Sequence, residues 1–248
     1  MDNEGKAELS RRQKRHQINL LPAEERVELY GYRGFVGGED VEAWYGIGKL
    51  QYHFLVARGL RPHHKFLDIG CGSLRLGQFI IPYLDAGNYT GLEPEKSLVE
   101  QGLKKEFYAG VRKIKRPRFF HNYRFDFEGI VGFDVAMAQS VFTHLTEDDI
   151  RLCLGSLAKI SKKGSRFFAT FFEGDSSENE HDESHANRTW RYSVEEMRSF
   201  ASDCWEFKYI GNWQHPVKQK MLVYTYVGAK PSIIVNSFRF LRNKIRRA

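Results

Sequence analysis

The stretch FLDIGCGSLRLG, residues 66–77, constrains this chain more than any other. A short apolar run carrying one acid, Asp68, breaks into Gly70 and Gly72 and then resumes with helical spacing. A strand that turns sharply at glycines into a helix is the opening of a β-α-β unit. The alternation continues. The pattern predicts a strand over 65–69, a helix over 74–83, a strand over 89–92 and a helix over 95–107. Further strands are predicted over 118–121, 133–140 and 165–172, with a helix in EDDIRLCLGSLAKI between the last two. Short strands alternating with helices predict a parallel sheet covered on both faces. Late in the chain EFKYIG and QKMLVYTYVG are separated only by the turn NWQHPVK, which predicts an antiparallel hairpin. The expected fold is therefore α/β, a Rossmann-like doubly wound seven-stranded sheet, mostly parallel, with an antiparallel C-terminal hairpin.

The chain has 248 residues, of which 42% are hydrophobic and 14% aromatic, enough for one sizeable core rich in aromatic rings. Residues 1–23 are charged and read as a loose arm. Residues 24–62 read as a glycine-broken loop followed by a helix, with Trp44, Ile47, Leu50, Phe54 and Leu55 at helical spacing and Gly59 as its stop. Residues 63–228 hold the alternating domain, and 229–248 a basic tail. No apolar run approaches the roughly 20 residues of a membrane-spanning helix, and no apolar signal segment opens the chain. Cys71, Cys153 and Cys204 show no metal spacing and cannot all pair, so a reducing, cytoplasmic setting is expected. The net charge is +7, but removing the six basic residues after Ala229 leaves +1. The basic character of the total is local, and nucleic acid is not the expected partner.

The glycine turn opens a helix whose free N–H groups suit polar ligand atoms. Glu93, ending YTGLE, can accept both hydroxyls of a ribose, as an acid does in dinucleotide sites. Two details argue against a dinucleotide. Arg75 stands in the third glycine slot of G-x-G-x-x-G, with Gly77 two residues later. Asp68 precedes the loop, where its carboxylate would repel a pyrophosphate and would suit a cationic head. S-adenosylmethionine has such a head, a ribose for Glu93 and no phosphate.

LDIGCGSLRLG, YTGLEP and FDVAMAQSVFTHL resemble the first, second and fourth motifs of class I S-adenosylmethionine-dependent methyltransferases, over about residues 63–228. GKLQYHFLVARGLRPHHKFLDIGCGSLRLG, SVFTHL and WQHPVKQKMLVYT are similar to a bacterial group of small methyltransferases of poorly defined substrate. One departure is Leu74, where the general motif often has a third glycine. The resemblance implies that Asp68, Gly70, Cys71, Gly72 and Ser73 line the methionine half of the cofactor. Glu93 would bind the ribose hydroxyls, with Leu92 and Pro94 packing beside it. Asn122 and Asp126 compete for the adenine amino group. Gln139 and Ser140 would face the methyl group, and Gln51 would reach the methionine carboxylate or pack as a surface amide.

Methyl transfer is an in-line displacement, so alignment and exclusion of water can supply most of the catalysis. Oxygen and nitrogen acceptors can also need a base. His144, just past the fourth strand, is the catalytic candidate; its alternative is packing at the next helix start, where Thr146 and the acids 147–149 form a cap. His215, in the late hairpin turn, could border the acceptor pocket. Residues 173–193 read as a polar lid; His181 and His185 lie four apart, but Ser, Asn and Gly make this a loop and no metal is expected. YGYRGFVGGEDVEAWYG reads as the other lid. In the tail, Ile234, Phe238, Leu241 and Ile245 form an apolar stripe among Arg and Lys, as in a helix lying on an anionic membrane; residues 231–248 are the expected peripheral contact at the inner membrane surface. The Asn/Asp-Pro-Pro-aromatic motif of base-amino methyltransferases is absent, QSVF standing in its place. The expected activity is methylation, at oxygen, of a small molecule, glycan or lipid-linked intermediate. The alternative is a non-catalytic cofactor-binding or membrane-associated accessory protein on the same fold. A third reading is an aminopropyltransferase-like or nicotinamide-dependent enzyme; Asp68 and the displaced third glycine stand against the nicotinamide form.

Overall fold

The computed structural model describes residues 21–38, 40–179, 182–186 and 188–228. Most of the expected arm, the whole basic tail and His181 lie outside the described residues. In chain order the elements are α1 (Ala23–Gly34), α2 (Val41–Ala57), β1 (Phe66–Ile69), α3 (Gly77–Tyr83), β2 (Tyr89–Leu92), α4 (Lys96–Lys105), α5 (Val111–Lys115) and β3 (Arg118–Phe120). They continue with β4 (Phe133–Ala138), α6 (Glu147–Ile160), β5 (Ser161–Glu173), β6 (Arg191–Tyr192), α7 (Val194–Ser199), β7 (Trp205–Asn212) and β8 (Lys220–Tyr226). The sheet order is β3-β2-β1-β4-β5-β8-β7, and β6 adds two residues beside the end of β5. Strands β1 to β5 are parallel, while β8 is antiparallel to β5 and β7. This is the expected mostly parallel sheet with an antiparallel closing hairpin.

β1 lies between β2 and β4 and is buried at all four positions, which explains its near-continuous apolar run. Side-chain alternation separates two cores. Leu67 and Ile69 face a cluster with Ile150, Leu154 and Met197 from α6 and α7. Phe66 faces a second cluster with Leu55 of α2 and Ile80 of α3. Asp68 shares the parity of Phe66 and so enters the α2–α3 side.

The N-terminal region differs from its sequence reading. Residues 23–34 are helical, not loop, and the glycine break is one residue: Gly31, at φ 71°, interrupts the helical backbone. α2 starts at an Asp40 cap that accepts the Ala43 N–H at 2.7 Å. Its buried face is Trp44, Ile47, Gly48, Gln51 and Leu55, so the polar Gln51 sits within the apolar stripe. α3 starts only at Gly77, because the loop after β1 continues as turns through Leu76.

Candidate functional site

The loop after β1 turns at glycines that pack tightly against neighbouring segments. Gly70 and Gly72 have φ of 67° and 51°, in the left-handed region. A Cβ on Gly70 would stand 2.5 Å from Val141 Cγ2, and one on Gly72 3.0 Å from Val36 Cγ1. Gly70 and Cys71 donate their N–H groups to the Leu92 carbonyl at 2.8 and 3.1 Å, tying the turn to the end of β2. Leu74 also has positive φ, 67°, and is fully buried. Its side chain packs where a Cβ on Gly77 or Gly102 would meet it. Leu74 therefore fills the core under the loop while holding the backbone shape of the glycine it replaces.

Asp68 and Glu93 converge on this turn. Asp68 Oδ2 accepts the Tyr89 hydroxyl at 2.7 Å, and both residues are buried. Glu93 Oε2 accepts the Gly72 N–H at 2.9 Å and Oε1 the Glu95 N–H at 3.0 Å. Neither carboxylate has a cation partner among the described residues. Burial pushes both up to about 7, against the lowering effect of these hydrogen bonds. Buried acids without a counterion suit a ligand that brings positive charge and hydroxyls. Cys71 is buried beside Gly91, and its thiol is pushed up by burial, so it packs as a small apolar group.

At the carboxyl ends of β4 and β5 lies a network that links distant parts of the chain. Gln51 Nε2 donates to Gln139 Oε1 at 2.7 Å, and Gln139 Nε2 lies 2.7 Å from Ser140 Oγ, 3.2 Å from His215 Nε2 and 3.2 Å from Gln219 Oε1. Gln219 Nε2 donates to Ser140 Oγ at 2.6 Å, and the Thr170 hydroxyl donates to Gln219 Oε1 at 2.8 Å. His215 stacks on Trp213 with ring centroids 5.2 Å apart. Burial and the Arg75 guanidinium hold His215 down at about 4, so it is neutral near pH 7. Among the described residues, two buried atoms in this network have no partner: Gln51 Oε1 and His215 Nδ1. The Gln51 amide nitrogen, expected to face a carboxylate, is instead committed to Gln139, and the free group is its oxygen.

Arg75, which the sequence marks only as the residue in the third glycine slot, joins the site. It is largely buried with no carboxylate partner among the described residues. One guanidinium nitrogen donates to the Val36 carbonyl, Nε has no partner, and the group lies 5.1 Å from the Trp44 ring centroid. The signal available in sequence was a cation within the glycine loop. The end of α1 and the residues after it cover the same loop. The Ser73 hydroxyl donates to the Tyr32 carbonyl. Tyr32 and Arg33 are anchored on Glu106, with Arg33 Nε 2.7 Å from Glu106 Oε1. Trp44 lies between the guanidiniums of Arg33 and Arg75.

The remaining candidates are engaged mainly in backbone contacts. Asn122 Oδ1 accepts the N–H groups of Arg124 and Asp126, and Asp126 Oδ1 that of Glu128, so both side chains brace the loop after β3. Leu92 is buried at the end of β2, and Pro94 follows Glu93. His144 ends a short 3-10 turn, Phe142–His144, before the Thr146 cap of α6. Its Nδ1 lies 2.6 Å from the Arg188 carbonyl, which places the ring proton there and leaves Nε2 as the basic nitrogen. Burial lowers its pKa. His185 is held by its backbone N–H to the His144 carbonyl at 3.1 Å.

Comparison with known proteins bears on the fold that carries this loop. Residues 67–167 match the family described as a methyltransferase domain. Among solved structures, magnesium protoporphyrin IX methyltransferase from Synechocystis PCC 6803, with bound SAH, superposes at a TM-score of 0.58 and 14% identity, covering 88% of this chain and 100% of that one. A glycopeptide N-methyltransferase complexed with S-adenosyl-L-methionine gives 0.53 at 15% identity, covering 73% and 94%. An O-methyltransferase family protein from Burkholderia thailandensis gives 0.58 at 10% identity, covering 84% and 64%. At these identities the structural likenesses establish the fold. The cradle without Cβ atoms, the two uncompensated acids and the free Gln51 oxygen fit a group that carries a cationic amino-acid head and a ribose.

Proposed function

We propose that this chain, whose residues 67–167 match a methyltransferase domain, is a class I S-adenosylmethionine-dependent methyltransferase that methylates a hydroxyl on a small molecule, glycan or lipid-linked acceptor. The observation that carries this reading is the pair Asp68 and Glu93, buried on either side of one glycine turn with no cation of their own. When bound, S-adenosylmethionine supplies a methyl group on a sulfonium whose leaving thioether is neutral.

In this reading Asp68 and the free Gln51 oxygen receive the ammonium of the methionine half. Arg75 holds its carboxylate, a pairing that would also compensate the buried guanidinium. Gly70, Cys71, Gly72 and Ser73 present the turn, and Glu93 receives the ribose hydroxyls between Leu92 and Pro94. Asn122 or Asp126 reads the adenine. Gln139, Ser140, His215 and Gln219 form the wall at the ends of β4 and β5 that orients the acceptor. His144, neutral and with Nε2 unprotonated, takes the acceptor proton. Residues 24–62 serve as a cover over a catalytic domain at 63–228. No helix among the described residues is long and apolar enough to cross a membrane. The tail at 231–248, outside the described residues, is proposed as a peripheral contact with the inner membrane surface of the cytoplasm.

The test is transfer of label from methyl-labelled S-adenosylmethionine to a panel of hydroxylated and amine acceptors. Labelling of a hydroxyl, lost in Asp68→Asn, is the expected result. Binding of the cofactor with no labelled product across the panel would favour an accessory protein, and labelling of amines alone would overturn the oxygen assignment.

A further inference from the structure

A second surface, toward the amino ends of the strands, carries a dense run of positive charge. Residues 104–118 contain seven Lys or Arg and one acid. That acid, Glu106, is already engaged by Tyr32 and Arg33. None of the seven cations forms an ion pair among the described residues. Lys104, Lys105, Arg112, Lys113 and Arg116 are exposed. Two large apolar side chains stand among them, Tyr108 at 51% and Ile114 at 58% exposure. The local fold presents them outward. Val111 is buried and pins α5 to the body, and Lys115 turns back to the Leu84 carbonyl at 2.7 Å. That leaves Arg112, Lys113 and Ile114 on the outer side. The patch lies at the β3 edge of the sheet. The Lys115 carbonyl accepts the Gly87 N–H from the turn that precedes β2, so the patch sits toward the amino ends of the strands. The glycine loop and the glutamine network lie at the carboxyl ends.

We propose that residues 104–118 dock the protein on an anionic lipid surface, the cations over the headgroups and Tyr108 and Ile114 in the interface. Charge complementarity selects an anionic partner. Ile114 selects lipid over nucleic acid: an exposed isoleucine gains by entering an acyl boundary and offers a base neither a stacking face nor a hydrogen bond. A surface held here leaves the carboxyl ends of the strands open. This docking does not depend on the methyltransferase reading.

The experiment is flotation of the full chain with phosphatidylcholine vesicles, with and without phosphatidylserine, at low and high salt. The wild type should float only with the anionic vesicles and be released by salt. The variant K105Q/R112Q/K113Q/R116Q should lose up to about a thousandfold in apparent vesicle affinity. A matched tail variant, R242Q/K244Q/R246Q/R247Q, should lose less vesicle affinity than the patch variant. The single exposed substitution Ile114→Asn should also weaken flotation, at an unchanged melting temperature. Equal flotation with neutral vesicles, or a folded patch variant that floats like the wild type, would overturn the proposal. So would a random-sequence RNA that outcompetes anionic vesicles for the wild type.

Discussion

Gly72 donates its backbone N–H to Glu93 Oε2 at 2.9 Å, so the turn after β1 and the acid that ends β2 form one unit. Glu93 thus has two tasks in the proposed site, shaping the turn and receiving the ribose. Glu93→Ala is expected to weaken cofactor binding by roughly 1.5–3 kcal/mol, the usual cost of losing hydrogen bonds to a charged group. Calorimetric titration measures it; an unchanged affinity in a folded variant would remove Glu93 from the site.

The two buried acids also set a pH dependence. Asp68 and Glu93 are held at about 7, above their ordinary values of 3.8 and 4.5. Between those limits the folded chain keeps protons that the unfolded chain has released. Stability of the free protein should therefore fall as pH rises from about 5 to about 8, by on the order of a few kcal/mol. A cationic ligand favours the ionised acids, so its binding near pH 6.5 should release protons. Urea unfolding across this range and titration in buffers of different ionisation enthalpy check the two halves.

Tyr89→Phe removes the hydroxyl that Asp68 accepts. The substitution keeps the ring packed against Phe66 and Phe119. The expected loss is about 1–3 kcal/mol of stability at pH 8, where Asp68 is ionised, and less at pH 5. An equal loss at both pH values would show that the hydroxyl does not support the charged carboxylate.

Leu74 combines a left-handed backbone with full burial. Leu74→Ala should cost about 2–5 kcal/mol in lost packing and keep the backbone strain. Leu74→Gly loses slightly more packing but relieves roughly 1–2 kcal/mol of that strain. The glycine variant should therefore be at least as stable as the alanine variant, the reverse of the usual order. Urea midpoints decide it.

Gly102 lets α4 approach the loop: a Cβ there would stand 2.4 Å from the Ser73 carbonyl oxygen. Gly102→Ala should destabilise by about 1–3 kcal/mol despite alanine's better helix propensity. It should weaken cofactor binding as well, because Ser73 belongs to the turn. A variant more stable than the wild type would contradict the packing.

The parts of the fold and site that the sequence exposes are those written in contiguous chain. Asp68, Gly70 and Gly72 are neighbours, and Glu93 follows one crossover later, so their convergence on one turn follows from strand order. The Thr146 cap is equally local. The glutamine network is not local: Gln51, Gln139 and Gln219 meet only because α2 packs behind β1 and the β7–β8 turn reaches the end of β5. Nothing near Gln51 in sequence announces its partners. The cover over the turn depends in the same way on Glu106, more than seventy residues from Arg33. α5 and β6 escape sequence reading through brevity. α5 has five residues between left-handed Gly110 and Arg116, and β6 has two.

The most direct test of the central claim is calorimetric titration of the full chain with S-adenosylmethionine and, separately, with NAD. The account predicts saturable heat with S-adenosylmethionine, none with NAD, and strong weakening of the first in both Asp68→Asn and Arg75→Gln. Absence of heat with S-adenosylmethionine, or saturable binding of NAD alone, would contradict it.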